Sequence, residues 1–505
     1  LYLHILHLHY LQMHVICFAM TALASPPTPA PPGAEARWDA RLWGALLVLC
    51  GALFLDGLDV SMVGVALPSI GADLGMPTGD LQWVVSGYVL GYGGFLLLGG
   101  RFADIFGRRK IFLAAVAVFA VASLLGGIAG DGTVLIVTRF VKGVAAAFTV
   151  PAGLSIVTTT FAEGPARNRA LAIYTACGAT GFSAGLIFGG LLTEIGWRWT
   201  FLVPAPIALL VLLAGIRLIR RDRPDPAERR GFDVAGAVTI SAAMLLLVRT
   251  VVTAPEVGWG EAEIVGGFAG AAALLALFVG IESRVRHPLV RLGILRSGSL
   301  VRANLGAVLL FGCYVAFQFI ATLYFQSLLG WGALETALAF LPGGLIVALV
   351  APRIGKVADR AGTAPIIVGG FTAFAAAYLW FLLRIDGSPA YVADVLPTMV
   401  LIGIGFALAF PSLNMQATAG IADHEQGLAS GLVNTSLQVG GAVVLAVATA
   451  IVSSRAHGGT DAATLIDAYQ PALGVVAALS AVGLLVAISG VLVRQRDSAP
   501  AGAEA

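Results

Sequence analysis

The chain has 505 residues, of which 58% are hydrophobic and 11% charged, and a formal net charge of +2. A soluble domain is about one quarter charged, so this composition argues against a soluble protein, and the absence of a basic block on a soluble domain argues against nucleic acid as a partner. Apolar runs of about 20 residues recur from Leu42 to Val493, each long enough to cross a bilayer core of about 30 Å, and the Gly and Ala content suits packed helices rather than barrel strands.

The first residues, "LYLHILHLHYLQMHVICFAM", open without Met, carry four His and lack the basic region of a secretory signal. They read as an upstream extension of the frame with the start at Met13 or Met20, a His-rich metal tract being the alternative. The Pro-rich "SPPTPAPPG" that follows is a stiff tether. Residues 1–39 are therefore expected to be a disordered segment, with 1–19 outside the native protein.

Hydropathy then places spans near 42–68, 80–100, 110–129, 133–158, 168–192, 199–219 and 232–253. A second series lies near 263–282, 301–326, 334–352, 364–384, 392–414, 427–453 and 472–493. The loops of one parity carry nearly all the Lys and Arg, from Arg101 to Lys110, at Arg167 and Arg169, and in the runs 217–230, 284–302 and 353–360. Only Arg198, Arg384 and Arg455 fall on the other side. The positive-inside rule then puts both termini in the cytoplasm, as an even count of fourteen requires.

An internal repeat organises the spans. "GRFADIFGRRK" (Gly100 to Lys110) follows the second and "GKVADRAGTAP" (Gly355 to Pro365) follows the tenth, eight spans later. Two six-helix halves would place them six apart, so two extra helices sit between the halves. The expected organisation is a half at 40–219, a linker with two spans at 220–282, a second half at 283–494 and a tail at 495–505. Repeated halves of this kind are an architecture of secondary transporters, with the substrate at the midplane. The fold class is thus an all-α polytopic membrane protein.

Charges inside a span mark an ion or substrate pathway by default. "LFLDGLDVSMVGVALP" holds Asp56 and Asp59, and "TRFVKG" holds Arg139 and Lys142, each pair three residues apart on one helix face. At about 1.5 Å per residue the two pairs overlap in depth. If the first and fourth helices share a cavity, these groups neutralise one another and suit proton coupling, with Asp59 as the stronger candidate; a fixed structural ion pair is the alternative reading. Asp56 is expected to balance Lys142.

In the first repeat loop Gly100 and Gly107 permit a tight turn, while Asp104 can pair with Arg108 or Arg109 as a latch; Asp359 is its counterpart in the second loop. In the fifth span Gly178, Gly181, Gly185, Gly189 and Gly190 form a small-residue stripe for close helix contact. The second half lacks membrane charges. It offers Tyr314, Phe317, Gln318, Tyr324 and Gln326, then Asn414, Gln416, Asn434 and Gln438, read either as cavity-lining groups for an amphiphile or as interhelical hydrogen bonds. Cys17, Cys50, Cys177 and Cys313 show no ligand or disulfide spacing and read as packing residues. The scarcity of Lys beside Arg and Ala suggests a high-GC bacterial source.

With these motifs quoted, residues 40 to 494 resemble the 14-helix drug:proton antiporters of the major facilitator superfamily, the EmrB/QacA type. "LDVSMVGVALPSI" resembles that group's "LDxTxVNVALPxI", which puts Asp59 at its acidic position. "GRFADIFGRRK" matches the superfamily loop signature, and "TRFVKG" resembles "RxxQG", which implies a proton-relay role for Arg139. "GLASGLVNTSLQVGGA", "LYFQSLLG" and "LAFLP" are also similar to the group. Gly64 stands where the pattern has Asn, Lys142 where it has Gln, and Leu186 where the fifth helix usually has Pro.

The resemblance implies a major facilitator fold and proton-coupled export of amphiphilic drugs or antibiotics across the cell membrane. It also implies function as a monomer with protons and a small organic substrate as partners, and neither cofactor nor metal. The alternative is a proton-coupled transporter of one metabolite or nutrient, in either direction. An enzyme is not expected, since the loops are short and no nucleotide-binding, metalloprotease or serine-hydrolase motif stands in a credible context.

Overall fold

The structure, a computed structural model, describes residues 38–162, 165–221, 233–285, 288, 291–421, 426–456 and 462–498. The N-terminal extension, its His tract and Cys17 lie outside the described residues. Among the described residues the regular structure is helical throughout. The principal helices are α1 (Ala40–Leu74), α2 (Thr78–Phe106), α3 (Arg108–Gly127), α4 (Gly132–Thr160), α5 (Pro165–Ile195), α6 (Trp199–Leu218) and α7 (Val234–Val257). They continue with α8 (Ala262–Glu282), α9 (Gly298–Leu323), α10 (Ala333–Val350), α11 (Thr363–Arg384), α12 (Leu396–Thr418), α13 (Gln426–Ala456) and α14 (Ala462–Ser498).

Thirteen helices among the described residues are long and apolar enough to cross a membrane. The helix α2 is not one of the thirteen, although it holds 29 residues and is enclosed by its neighbours. The chain is a multi-pass membrane protein.

The helices α1 to α6 pack among themselves, α1 on α5 and α6, α2 on α4, and α3 on α4 and α6. The helices α9 to α14 do likewise, with α9 on α13 and α14, and α11 on α12 and α14. Contacts between these two groups run mainly through α5 with α10 and through α2 with α13, with a smaller contact of α1 on α9. The α7–α8 pair leans on both α2 and α13 through α7.

Local chemistry sets the helix ends. Asp131 caps α4 by accepting the Val134 N–H at 2.9 Å, and Ser297 caps α9 through Leu300. Gly107, at φ 100°, stops α2 and starts α3; Gly362, at φ 80°, separates the short helix Ile354–Ala361 from α11. These are matching positions of the two repeat loops, so the repeated sequence builds a repeated turn. At the opposite end of the bundle, Arg198 joins Asp73 at 2.6 Å and the Ala129 carbonyl at 3.3 Å, tying α1, α3 and the α5–α6 connection together.

Some boundaries differ from the hydropathy reading. The last helix begins at Ala462, ten residues before the expected 472, and runs through Pro471. Asp467 and the proline conceal that first stretch from an apolar window. The ninth span ends in a π turn, Tyr324–Leu328, and the twelfth is preceded by another, Tyr391–Val395.

Candidate functional site: a buried charge cluster between α1, α2 and α4

Two close helix pairs build the site. The glycine stripe of α5 faces α1: a Cβ at Gly189 would lie 2.8 Å from Met62 Cα, and Cβ atoms at Gly181 and Gly185 would strike the carbonyls of Phe54 and Leu58. Likewise a Cβ at Gly143 of α4 would strike the Tyr88 carbonyl of α2, and Gly91 of α2 would strike the Phe140 carbonyl. Small residues thus let backbones meet and aim the polar groups of α1, α2 and α4 at one another. Gly190 faces a different neighbour, with its Cβ position 2.8 Å from Leu334 Cα on α10.

At the centre Asp59 accepts from two cations at once. Arg139 Nη1 binds its Oδ2 and Lys142 Nζ its Oδ1. The three residues are at most 1% exposed. Arg139 Nε also donates to the Val84 carbonyl at 2.9 Å, and its guanidinium lies 4.5 Å from the centre of the Tyr88 ring. The Tyr88 hydroxyl in turn donates to Asp56 Oδ1. Lys142 Nζ is 4.6 Å from the Phe119 ring centre and 5.3 Å from that of Phe201, so its ammonium is held between a carboxylate and aromatic faces.

Asp59, Arg139 and Lys142 together carry one excess positive charge in their ordinary ionised forms; Asp56, joined through Tyr88, restores neutrality. Buried ions are tolerated when paired and hydrogen-bonded, and removing one partner is costly. A proton reaching Asp59 would weaken its hold on Arg139 and Lys142 together and leave two cations short of a partner. Such an arrangement converts a protonation event into a drive toward rearrangement or hydration.

The four charged residues expected from sequence are brought together, with one difference in pairing. The direct partner of Lys142 is Asp59; Asp56 takes a tyrosine hydroxyl. Tyr88, Val84, Phe119 and Phe201 were not anticipated. A tyrosine pair one turn apart within α2, Tyr88 and Tyr92, is the sequence signal that points to this side of the cluster.

The loop residues lie away from it. Arg109 Nη2 donates to the Ile216 carbonyl at 2.6 Å, at the end of α6. Asp359 is exposed on the short helix before Gly362, and the Asp104 side chain lies outside the described residues. Gly100 and Arg108 are half-buried at the same end. Cys50, Cys177 and Cys313 are free thiols.

The second-half candidates separate into groups. Tyr314 is half-buried, in ring contact with Phe182 of α5 at 6.0 Å and Phe406 of α12 at 5.4 Å. Phe317, expected as an adjoining wall, instead packs against Tyr378 and Phe381 of α11 and is 1% exposed, because it turns into the core of α9 and α11. Asn414 and Asn434 donate to carbonyls of their own helices, Phe410 at 3.0 Å and Ser430 at 2.9 Å. Gln416 binds the Ser299 carbonyl at 3.4 Å, Tyr324 donates to the Asp386 carbonyl, and Gln326 donates to Val65 of α1 at 2.8 Å. Gln438 abuts Gly93 where α13 meets α2.

A multi-pass bundle of two packed helix groups with a buried ion cluster inside it is an architecture of membrane transporters. The Major Facilitator Superfamily model matches residues 49–445, and the chain belongs to that family. It is 37% identical over 453 residues to the cephamycin export protein CmcT of Amycolatopsis lactamdurans, covering 89% of this chain and 93% of that protein. Its identity to the puromycin resistance protein pur8 of Streptomyces alboniger is 38% over 441 residues, 85% and 86% of the two chains. Among solved structures, the POT family transporter PepTSo superposes with a TM-score of 0.66 at 16% identity, over 88% of this chain and 98% of that one, a likeness of fold.

Proposed function

We propose that this chain is a proton-coupled exporter of amphiphilic organic compounds of the antibiotic kind, working by alternating access. The observation that carries the reading is Asp59 bound by both Arg139 and Lys142 with no exposure to solvent. Relatives named for cephamycin export and puromycin resistance, matched over most of their length, support the substrate class.

In this reading the basic end of the bundle faces the cytoplasm, both termini are cytoplasmic, and the membrane is the plasma membrane of a bacterium. The protein works as a monomer, and residues 40–219 and 283–494 are the halves that rock, with 220–282 between them. Asp59 takes a proton from outside. Arg139 and Lys142 lose their common acceptor, the halves reorient, and the proton leaves inward as the cations reclaim the carboxylate. Asp56 and Tyr88 hold the balancing negative charge near Arg139. The loop at Gly100, Asp104, Gly107, Arg108 and Arg109, with Asp359 in its counterpart, latches the cytoplasmic face.

A cation at Lys142 would favour the nutrient-transporter alternative with an anionic substrate. That support weakens here, since the ammonium is already bound by Asp59. The test is pH-gradient-driven accumulation of puromycin and a cephamycin in inverted membrane vesicles. Accumulation abolished by an uncoupler and by Asp59→Asn is expected. Correctly inserted protein that moves none of these compounds would remove the exporter reading.

A further inference from the structure

A polar notch separate from the charge cluster lies where α1 meets α9. Pro68 sits inside α1 and has no N–H to give the Gly64 carbonyl four residues earlier, so that carbonyl lacks its helical partner. One turn of backbone is thereby opened to neighbours. Gln326 of the α9 π turn reaches across and donates to the adjacent Val65 carbonyl at 2.8 Å. Gln318 reaches toward Gly64 itself, its Nε2 lying 3.1 Å from where a Cβ on Gly64 would stand.

Gln326 is satisfied and Gln318 is not. Gln318 is 9% exposed, and its Nε2 is a buried donor with no hydrogen-bond partner. A buried amide donor left unbonded is costly unless something else accepts from it. Four residues earlier on the same face of α9 is Tyr314, ringed by Phe182 and Phe406 from two other helices. The Phe182 backbone nitrogen is 3.0 Å from the Cβ position of Gly57, which places this aromatic group beside the stretch of α1 that carries Asp56. A donor, a released carbonyl and an aromatic wall therefore converge on one stretch of the interface.

We propose that Gln318 is a specificity-determining residue whose Nε2 donates to a neutral oxygen acceptor of the transported compound, with Tyr314, Phe182 and Phe406 holding its apolar body. Gly64 keeps the place open: any side chain there would crowd the glutamine amide. The substrate class is an aromatic or lipophilic compound bearing a carbonyl, amide or hydroxyl near the ring system. This rests on the exporter reading and deepens it.

The test uses the full chain in inverted vesicles with two probes, puromycin, which carries an amide carbonyl and hydroxyl oxygens, and tetraphenylphosphonium, which has no acceptor atom. Gln318→Met keeps length and bulk without the donor, and Gln318→Leu serves if the first variant inserts poorly. The KM for puromycin should rise about fivefold, as for the loss of one neutral hydrogen bond, with that for tetraphenylphosphonium unchanged. Gly64→Asn combined with Gln318→Ala, which returns an amide to the notch from α1, should recover part of the loss. Equal change for both probes, or none for either, overturns the inference and leaves the exporter reading standing. Unaltered protein that moves neither probe overturns both.

Discussion

Lys142 binds Asp59, and neither side chain has any solvent exposure. That pairing, with Arg139 on the other carboxylate oxygen, makes one acid answer to two cations. Asp59→Asn should therefore do two separable things. It should abolish gradient-driven accumulation in vesicles. It should also destabilise the extracted protein by about 3–5 kcal/mol, the cost of leaving buried charge unpaired. A variant of unchanged melting temperature would contradict the geometry even if transport were lost.

The coupling between positions follows contact. A double-mutant cycle on thermal stability joining Asp59→Asn and Lys142→Met should show an interaction of about 1–3 kcal/mol, because the two side chains share one bond. The corresponding cycle for Asp56→Asn and Lys142→Met should give a smaller value, since Asp56 bonds to Tyr88. The reverse order would place Lys142 on Asp56.

Tyr88 serves Asp56 with its hydroxyl and Arg139 with its ring. Tyr88→Phe should keep insertion and part of the transport rate, and Tyr88→Leu should lose more, because only the second removes the ring face. Initial rates at matched expression in vesicles check this ranking. Equal rates for the two variants would mean that the ring contributes nothing.

The α1–α5 contact depends on absent side chains. Gly185→Val would drive its Cβ into the Leu58 carbonyl and the Ser61 hydroxyl, with two methyl groups still to place. It should yield protein that aggregates on extraction, as seen by gel filtration. Gly260→Ala, where a Cβ meets open space, is the control and should behave as the unaltered protein.

Exposed ion pairs should matter little. Arg249 and Glu263 meet at 3.0 Å with side chains 61% and 56% exposed. A pair this exposed, toward the end of α7 and at the start of α8, is worth little, so Arg249→Ala should leave the melting temperature and transport where they are. A clear loss of either would assign Arg249 a role beyond this pair.

Much of this was legible in the chain because two regularities are strict. Helical rise alone put Asp59 and Lys142 at one depth, and small residues three or four apart marked the α5 face that meets α1. Tyr88 was hidden because a tyrosine in an apolar run looks like any aromatic packing residue; only its neighbours give its hydroxyl a task. Phe317 was misread for a related reason. It neighbours Gln318 in sequence, but the 100° turn per residue sends it into the α9–α11 core. The choice of Asp59 over Asp56 as the partner of Lys142 depends on side-chain reach, which no spacing rule supplies.

The position of α7 against both α2 and α13 has a further consequence. Besides the smaller α1–α9 contact, the two helix groups meet along α5 with α10 and along α2 with α13, and α7 lies against only the second. A lipophilic compound approaching from the bilayer would therefore find the α2–α13 line covered by a helix and the α5–α10 line bare.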